Sequence, residues 1–510
     1  MRTTRRNFLR VAAGSGAFAS LPRHSWPLSP DDLQTKLAAD PLRPQFHLLP
    51  AKNWMNDPNG PIYWKGAYHM FYQYNPGAPM WGDMHWAHAI SQDMIHWRHL
   101  AIALAPTPGW DDADGCFTGS AVDNHGTATI LYTGVKSTSA DRATLRDGHN
   151  NFREVQCLAT SAHPQLRTWT KWKQPVIQPA TDPTLAGFRD PFLWREGTNW
   201  ILGVAAGHFK KGGCVLLYRS KDLRNWEPLH DLASQPWTEK ESVNPVDSGE
   251  MWECPDFFPL GKKHVLLYST AGKVIWESGD LDRKELKFHS QRRGILDHGA
   301  YYAQKTQLDA HGNRILWGWI PEKRPDSELI AAGWAGCMAL PRVLTLSPDG
   351  ELEMAVAPEA RSLRGSSSEL QTIDPNSPAH VSATPAIEID DLRAELIWNT
   401  PAFAHTFELQ DRSGAWWSVS ITPRSTRAVL NVNGAEIEIP VSANQEHSFH
   451  LFLDASVAEL IVDRRHAITT RIYRPPAGAL NLAFYDRHAA ITTPVKIWQM
   501  RAISPDRLTT

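Results

Sequence analysis

"SQDMIHWRHL" (residues 91–100) and "SKDLRNWEPLH" (220–230) state one pattern twice, Ser-x-Asp-aliphatic-x-x-Trp. "PQLRTWTKW" (164–172) keeps the Leu-x-x-Trp core, and "SGDLDRKELKFH" (278–289) is a degraded copy with Phe288 in the tryptophan's place. The aromatic positions 97, 169, 226 and 288 lie 72, 57 and 62 residues apart. Each interval holds one four-stranded sheet, and self-similarity at that period predicts a β-propeller. The chain before Ser91 and after Phe288 also needs housing, so five blades are expected between about 45 and 345.

Between the repeats run strand-length segments rich in β-branched and aromatic residues and bounded by Gly, Asn or Pro. Examples are "AYHMFYQYN" (67–75), "TATILYTGV" (127–135), "NWILGVAAG" (199–207), "HVLLYSTAG" (264–272) and "RILWGWI" (314–320). No long amphipathic helix competes, so the chain reads as all-β. Residues 351–387 read as a linker, Ser/Pro-rich from Arg361 onward and poor in large apolar side chains. Strands resume in 388–510, with a hairpin turning at Asn433-Gly434. Short strands over some 120 residues predict a β-sandwich there.

The first 25 residues stand apart. "TTRRNFLR" (3–10) precedes a short apolar run, Val11 to Ala19, and a small-residue exit. That order predicts an export signal, and Arg5-Arg6 gives it the twin-arginine form. The protein is therefore expected outside the cytoplasm, periplasmic or extracellular. Lys plus Arg number 52 against 54 Asp plus Glu, which argues against nucleic acid or an anionic membrane as partner. The five cysteines, 116, 157, 214, 254 and 337, are widely spaced with no CxxC pair. Neither a zinc site nor a redox pair is indicated, and their pairing stays open.

Three acidic residues have unusual company: Asp57 in "WMNDPNG" (54–60), Asp190 in "GFRDPFLW" (187–194) and Glu253 in "GEMWECPDFFPL" (249–260). Each sits beside bulky aromatics and near a proline. Singly, each needs no reading beyond a turn aspartate or an exposed glutamate, since Asn, Asp, Pro and Gly favour turns for backbone reasons. On three blades of one propeller they would converge at the central channel, partly desolvated, which suits carboxyl groups for acid–base work. Paired carboxyl groups are what a retaining glycosidase uses. Cys254, next to Glu253, reads as a small buried filler, since no His-containing motif supports a thiolate nucleophile.

"WMNDPNGPIYWKGAYHMFYQYNP" resembles the opening signature of glycoside hydrolase family 32, the invertases, inulinases and levanases. The resemblance continues in order through "WGDMHWAHAISQDMIHW", "GCFTGSAV", "FRDP", "MWECPDFFPL", "YYAQKTQLD", "RILWGWIPE", "GWAGCMALPR" and, near the end, "LFLDASVAELIVD". It implies a five-bladed β-propeller (here 41–350) followed by a C-terminal β-sandwich, and hydrolysis of β-D-fructofuranosides with retention. It makes Asp57 the nucleophile, Glu253 the acid/base, and Asp190 a holder of fructose hydroxyls. It further implies fructose contacts from Asn56 and Gln73, a hydrophobic wall at Trp81, and a hydroxyl at Phe117-Thr118. Arg189 would donate paired hydrogen bonds beside Asp190, and Trp334 would line the pocket rim. Such an enzyme needs no metal or organic cofactor, and no His or Cys cluster here has ligand spacing. The substrate expected is sucrose. Exo-acting levanase or inulinase, fructosyltransferase and a non-catalytic fructan-binding protein are the alternatives.

Overall fold

The computed structural model describes residues 30–370, 389, 392–400, 405–440, 446–486 and 495–508. The expected export signal lies outside these residues, as does the expected linker from 371 onward. Five mainly antiparallel sheets follow one another along the chain, and two more complete it.

The first strands of the five sheets are Asn53–Trp64, Gly115–Asn124, Leu185–Glu196, Glu253–Leu260 and Tyr302–Leu308. Each neighbours the next, and the fifth packs back against the first. Trp334–Ala335, late in the chain, pairs in parallel with Asn53–Trp54 and completes the first sheet.

The repeated phrase builds the turn after the third long strand in four of the sheets. The carboxylates of Asp93 and Asp222 accept the next free backbone N–H groups, from Ile95 and His96 at 3.0 and 2.8 Å and from Arg224 and Asn225 at 2.9 and 2.8 Å. The indole N–H of Trp97, Trp169 and Trp226 donates to the carbonyl of Met94, Leu166 and Leu223. These three aliphatic residues, and Leu286 in the degraded copy, all have left-handed backbone, with φ of 65, 51, 64 and 52°. Their buried side chains and the aspartate and indole bonds together hold a conformation that such residues otherwise avoid.

The C-terminal sheets face each other across one apolar core. Trp398, Leu451 and Leu460 of the six-stranded sheet meet Phe407, Trp417 and Leu430 of the five-stranded one. The hairpin turns at Asn433-Gly434 as expected, with φ of 48 and 84°, the signs a two-residue type I′ turn needs. The expected linker carries structure at its start. Leu352–Val356 is the outer strand of the fifth sheet, a 3-10 turn spans Pro358–Leu363, and Arg364–Leu370 joins the six-stranded sheet. Alternate apolar residues at 352, 354 and 356 pack inward, a signal the Ser/Pro content after Arg361 obscures.

The two parts of the chain meet over a second apolar cluster that includes Phe46, Leu49, Leu344, Phe452 and Ile461. A set of buried charges crosses the same junction. His47 lies 2.7 Å from Asp454 and 2.9 Å from Glu459. Arg342 donates to Asp297, Glu459 and Thr469. Burial alone would lower the His47 pKa, but the two carboxylates outweigh it and hold it up at about 9.

Candidate active site

"WMNDPNG" is not a chain reversal. It lies within the continuous strand Asn53–Trp64, whose register slips twice, between Met55 and Pro58 and between Asn59 and Ile62. Bulges accommodate the proline and re-aim side chains. Gly60 completes the distortion at φ 43°, where a Cβ would stand 2.8 Å from the backbone nitrogen of Ala121 in the next sheet. The other four first strands slip at the corresponding depth: Phe117/Gly119, Arg189/Phe192, Glu253/Asp256 and Tyr302/Lys305. Asp190, Cys254 and Ala303 at three of these slips have left-handed backbone. Five irregular strands thus meet at one place, as bulges often do beside functional groups.

Asp57, Asp190 and Glu253 are 3, 2 and 1% exposed. Asp57 accepts hydrogen bonds from Asn56 Nδ2 at 2.9 Å and Thr118 Oγ1 at 2.7 Å. Gln73 ties these two donors together, accepting from Asn56 and donating to Thr118, while Asn56 Oδ1 accepts from the Trp54 indole. Cys254 Sγ lies 3.5 Å from both Asp57 Oδ2 and Asp190 Oδ2, so one thiol separates the two carboxylates. Burial pushes that thiol well above its ordinary pKa, which leaves it a neutral filler and weak donor. Asp190 also accepts the Cys254 N–H at 2.8 Å. Burial raises its pKa to about 6; Arg189 opposes the rise, and Glu253 and Asp57 reinforce it.

Glu253 is held from two sides. Arg189 donates to its Oε1 through Nε and Nη2, at 3.2 and 3.0 Å, and the Tyr302 hydroxyl donates to Oε2 at 2.8 Å. A cavity of about 330 Å³, open mouth included, is lined by Trp81, Phe117, Leu145, Asp147, Arg189, Asn244 and Glu253. Asp57 is bonded to Thr118, the chain neighbour of the lining residue Phe117, and Asp190 follows the lining residue Arg189 and accepts the N–H of Cys254, the neighbour of Glu253. Among the described residues, no group of three His, Cys, Asp or Glu is placed to hold a metal ion. The five cysteines are free and buried.

Nine of the ten residues expected at the site are therefore together. Trp334 is not with them. It is fully buried, its indole N–H donates to Asp40 at 2.7 Å, and the guanidinium carbons of Arg324, Arg43 and Arg471 lie 4.4, 5.4 and 5.8 Å from its ring. Its short strand pairs beside Asn53 and buries the ring among cations at the junction instead of exposing it at a rim. Sequence reasoning passed over Tyr302, Asp147 and Asn244. Tyr302 lies in the quoted "YYAQ" segment at the start of a first strand, and that position was its signal. Asp147 and Asn244 come from loops and carry no periodic signal.

Comparison with known proteins agrees with the geometry. The model of the glycosyl hydrolases family 32 N-terminal domain matches residues 47–357. A sucrose-6-phosphate hydrolase of Escherichia coli is 34% identical over 496 residues, covering 90% of this chain and 94% of that protein. An acid beta-fructofuranosidase of Vicia faba is 31% identical over 547 residues, covering 90% and 81%. Among solved structures, a Bombyx mori GH32 beta-fructofuranosidase superposes with a TM-score of 0.75 at 29% identity, covering 92% of this chain and 97% of that one.

Proposed function

The chain belongs to glycoside hydrolase family 32, and from that membership we infer a retaining β-fructofuranosidase that releases fructose, from sucrose foremost. It is a glycosidase of the fructofuranosidase type. The observation that carries the finer reading is the convergence of three buried acids from three different first strands, Asp57 and Asp190 each 3.5 Å from the Cys254 thiol and Glu253 lining the cavity. In architectural terms the five sheets are the blades of a five-bladed propeller, residues 41–350 and the paired strand that follows. The two C-terminal sheets, within 388–510 plus the strand Arg364–Leu370, are a sandwich.

Asp57, its oxygens oriented by Asn56 and Thr118, attacks the anomeric carbon as Glu253 passes a proton to the departing oxygen. A covalent fructosyl ester results. Ionised Glu253 then takes a proton from water, which displaces Asp57 and frees fructose with its configuration retained. Asp190 accepts from fructose hydroxyls, its carboxylate already fixed by the Cys254 N–H. Among the described lining residues the cation is Arg189, and it is engaged by Glu154 and Glu253. That supports a neutral glycosyl partner over a phosphorylated one.

The test is turnover of sucrose, sucrose 6-phosphate, inulin and levan side by side, with Asp57→Asn and Glu253→Gln variants. Asp57→Asn should lower turnover of sucrose at least ~10³-fold, roughly 4 kcal/mol of barrier. Glu253→Gln should cripple sucrose cleavage but spare β-fructosyl fluoride, whose leaving group needs little protonation. Equal loss on both substrates would remove Glu253 from the acid's role. A preference for levan or inulin would overturn the substrate reading.

A further inference from the structure

Glu154 is fully buried on the third long strand of the second sheet, outside the cavity. Its Oε1 accepts from Arg189 Nη1 at 2.7 Å and its Oε2 from the Phe188 N–H at 2.8 Å. Its own N–H donates to Thr144 Oγ1 at 2.9 Å, next to the cavity residue Leu145. Two residues along, on the same face of the strand, Gln156 donates to the Phe188 carbonyl at 3.0 Å and accepts from Thr133 Oγ1 at 2.9 Å. Thr133 Oγ1 in turn accepts the Asp190 N–H at 2.9 Å. Side chains of the second sheet thus take the place of a neighbouring strand along Phe188-Arg189-Asp190, where the backbone turns left-handed at φ 62°.

A guanidinium presents a rigid fork of donors. Here one side of it is engaged by Glu154, while Nε and Nη2 face Glu253. We propose that Glu154 is a positioning residue for proton delivery, holding the Arg189 guanidinium so that it fixes the Glu253 carboxyl against the departing oxygen. Gln156 holds the same backbone without touching Arg189, so its loss loosens the strand without releasing the guanidinium. The inference rests on the assignment of Glu253 as the acid.

The experiment measures kcat and KM on sucrose and on β-fructosyl fluoride for Glu154→Gln, Glu154→Asp, Gln156→Leu and Glu253→Gln. Glu154→Gln keeps the shape but turns an N–H toward the Phe188 N–H or toward Arg189. Glu154→Asp keeps the charge and withdraws it by one methylene. Either should lower kcat on sucrose by about 10- to 100-fold, the scale of a small misplacement of a catalytic group. KM should stay within about twofold and the fluoride rate within about threefold. Gln156→Leu should lower both substrates by the same factor. If Glu154→Gln fails to fold, Glu154→Asp carries the test with the same expectation. Equal loss on both substrates, or no loss, in the Glu154 variant that folds overturns the proposal. Should Glu253→Gln itself lack the leaving-group selectivity, the assignment of the acid fails first, and the two failures are told apart.

Discussion

Two of the molecule's buried charge clusters among the described residues are balanced differently. At the junction of its two parts, Asp297, Asp454 and Glu459 face Arg342 and His47. Backbone N–H groups of Gln45, Phe46, Leu340, Gly299 and Thr469 supply further donors. In the cavity region Glu253 and Glu154 share the guanidinium of Arg189, while Asp57 and Asp190 accept from a hydroxyl, an amide, a backbone N–H and a thiol. Buried charge is costly unless paired and hydrogen-bonded. The junction meets that condition and fixes structure. The site leaves negative charge under-compensated, and burial, opposed by Arg189 and reinforced by Glu253 and Asp57, pushes the Asp190 carboxyl up to about 6. Under-compensation is what makes carboxyl groups exchange protons near neutral pH.

The contrast has measurable consequences. Arg342→Met should remove about 3–5 kcal/mol of stability by stranding Asp297 and Glu459. Denaturant unfolding measures this, and activity per folded molecule should hold. A loss below ~1 kcal/mol would mean that the junction is no better balanced than the site.

Next in size is the pH response of His47. Its pKa is raised from 6.5 to about 9 in the folded chain. The stability it contributes is complete below about pH 6.5 and is lost as pH rises through 9, in all about 3 kcal/mol. His47→Gln should flatten that part of the stability profile; an unchanged slope would remove His47 as its source.

The smallest effect falls with rising pH as that of His47 does, but removal of the group is expected to gain stability. Asp190 is raised from 3.8 to about 6, so its favourable share is complete below pH 3.8 and gone above about 6. Asp190→Asn should therefore stabilise the protein at pH 7–8 by about 2 kcal/mol while abolishing most activity. A lower melting temperature than the parent at that pH would show that its charge is compensated after all.

The sequence was most legible where one local reason produced one residue type. The Ser-x-Asp-aliphatic-x-x-Trp phrase is a turn that needs an acceptor, a buried aliphatic residue and an indole donor, and that need recurs from sheet to sheet. Asp57, Asp190 and Glu253 were legible as a set, because each alone reads as an ordinary turn or surface acid and only their recurrence on three blades sets them apart. Residues 54–60 were half legible: their composition marks a break in regularity, and only pairing decides between a turn and a bulged strand. Trp334 was misplaced because "GWAG" does not say which side of its strand faces the cavity. Glu154 and Gln156 were readable in principle, since alternation in "EVQCLA" puts both on one face. Their partners, however, lie on another sheet, where no local pattern reaches.

The pairing of Trp334–Ala335 with Asn53–Trp54 also sets an order in time. The strand bearing Asp57 leaves a ribosome ahead of the rest of the five-sheet region, and its edge partner is among the last of that region. At about 5–20 residues per second, that edge stays open for on the order of tens of seconds. An open edge invites pairing with another chain. Here the early strand carries Pro58 and two bulges, features that blunt an edge. The irregularity that carries Asp57 into the site should therefore also discourage the half-made chain from pairing with its neighbours.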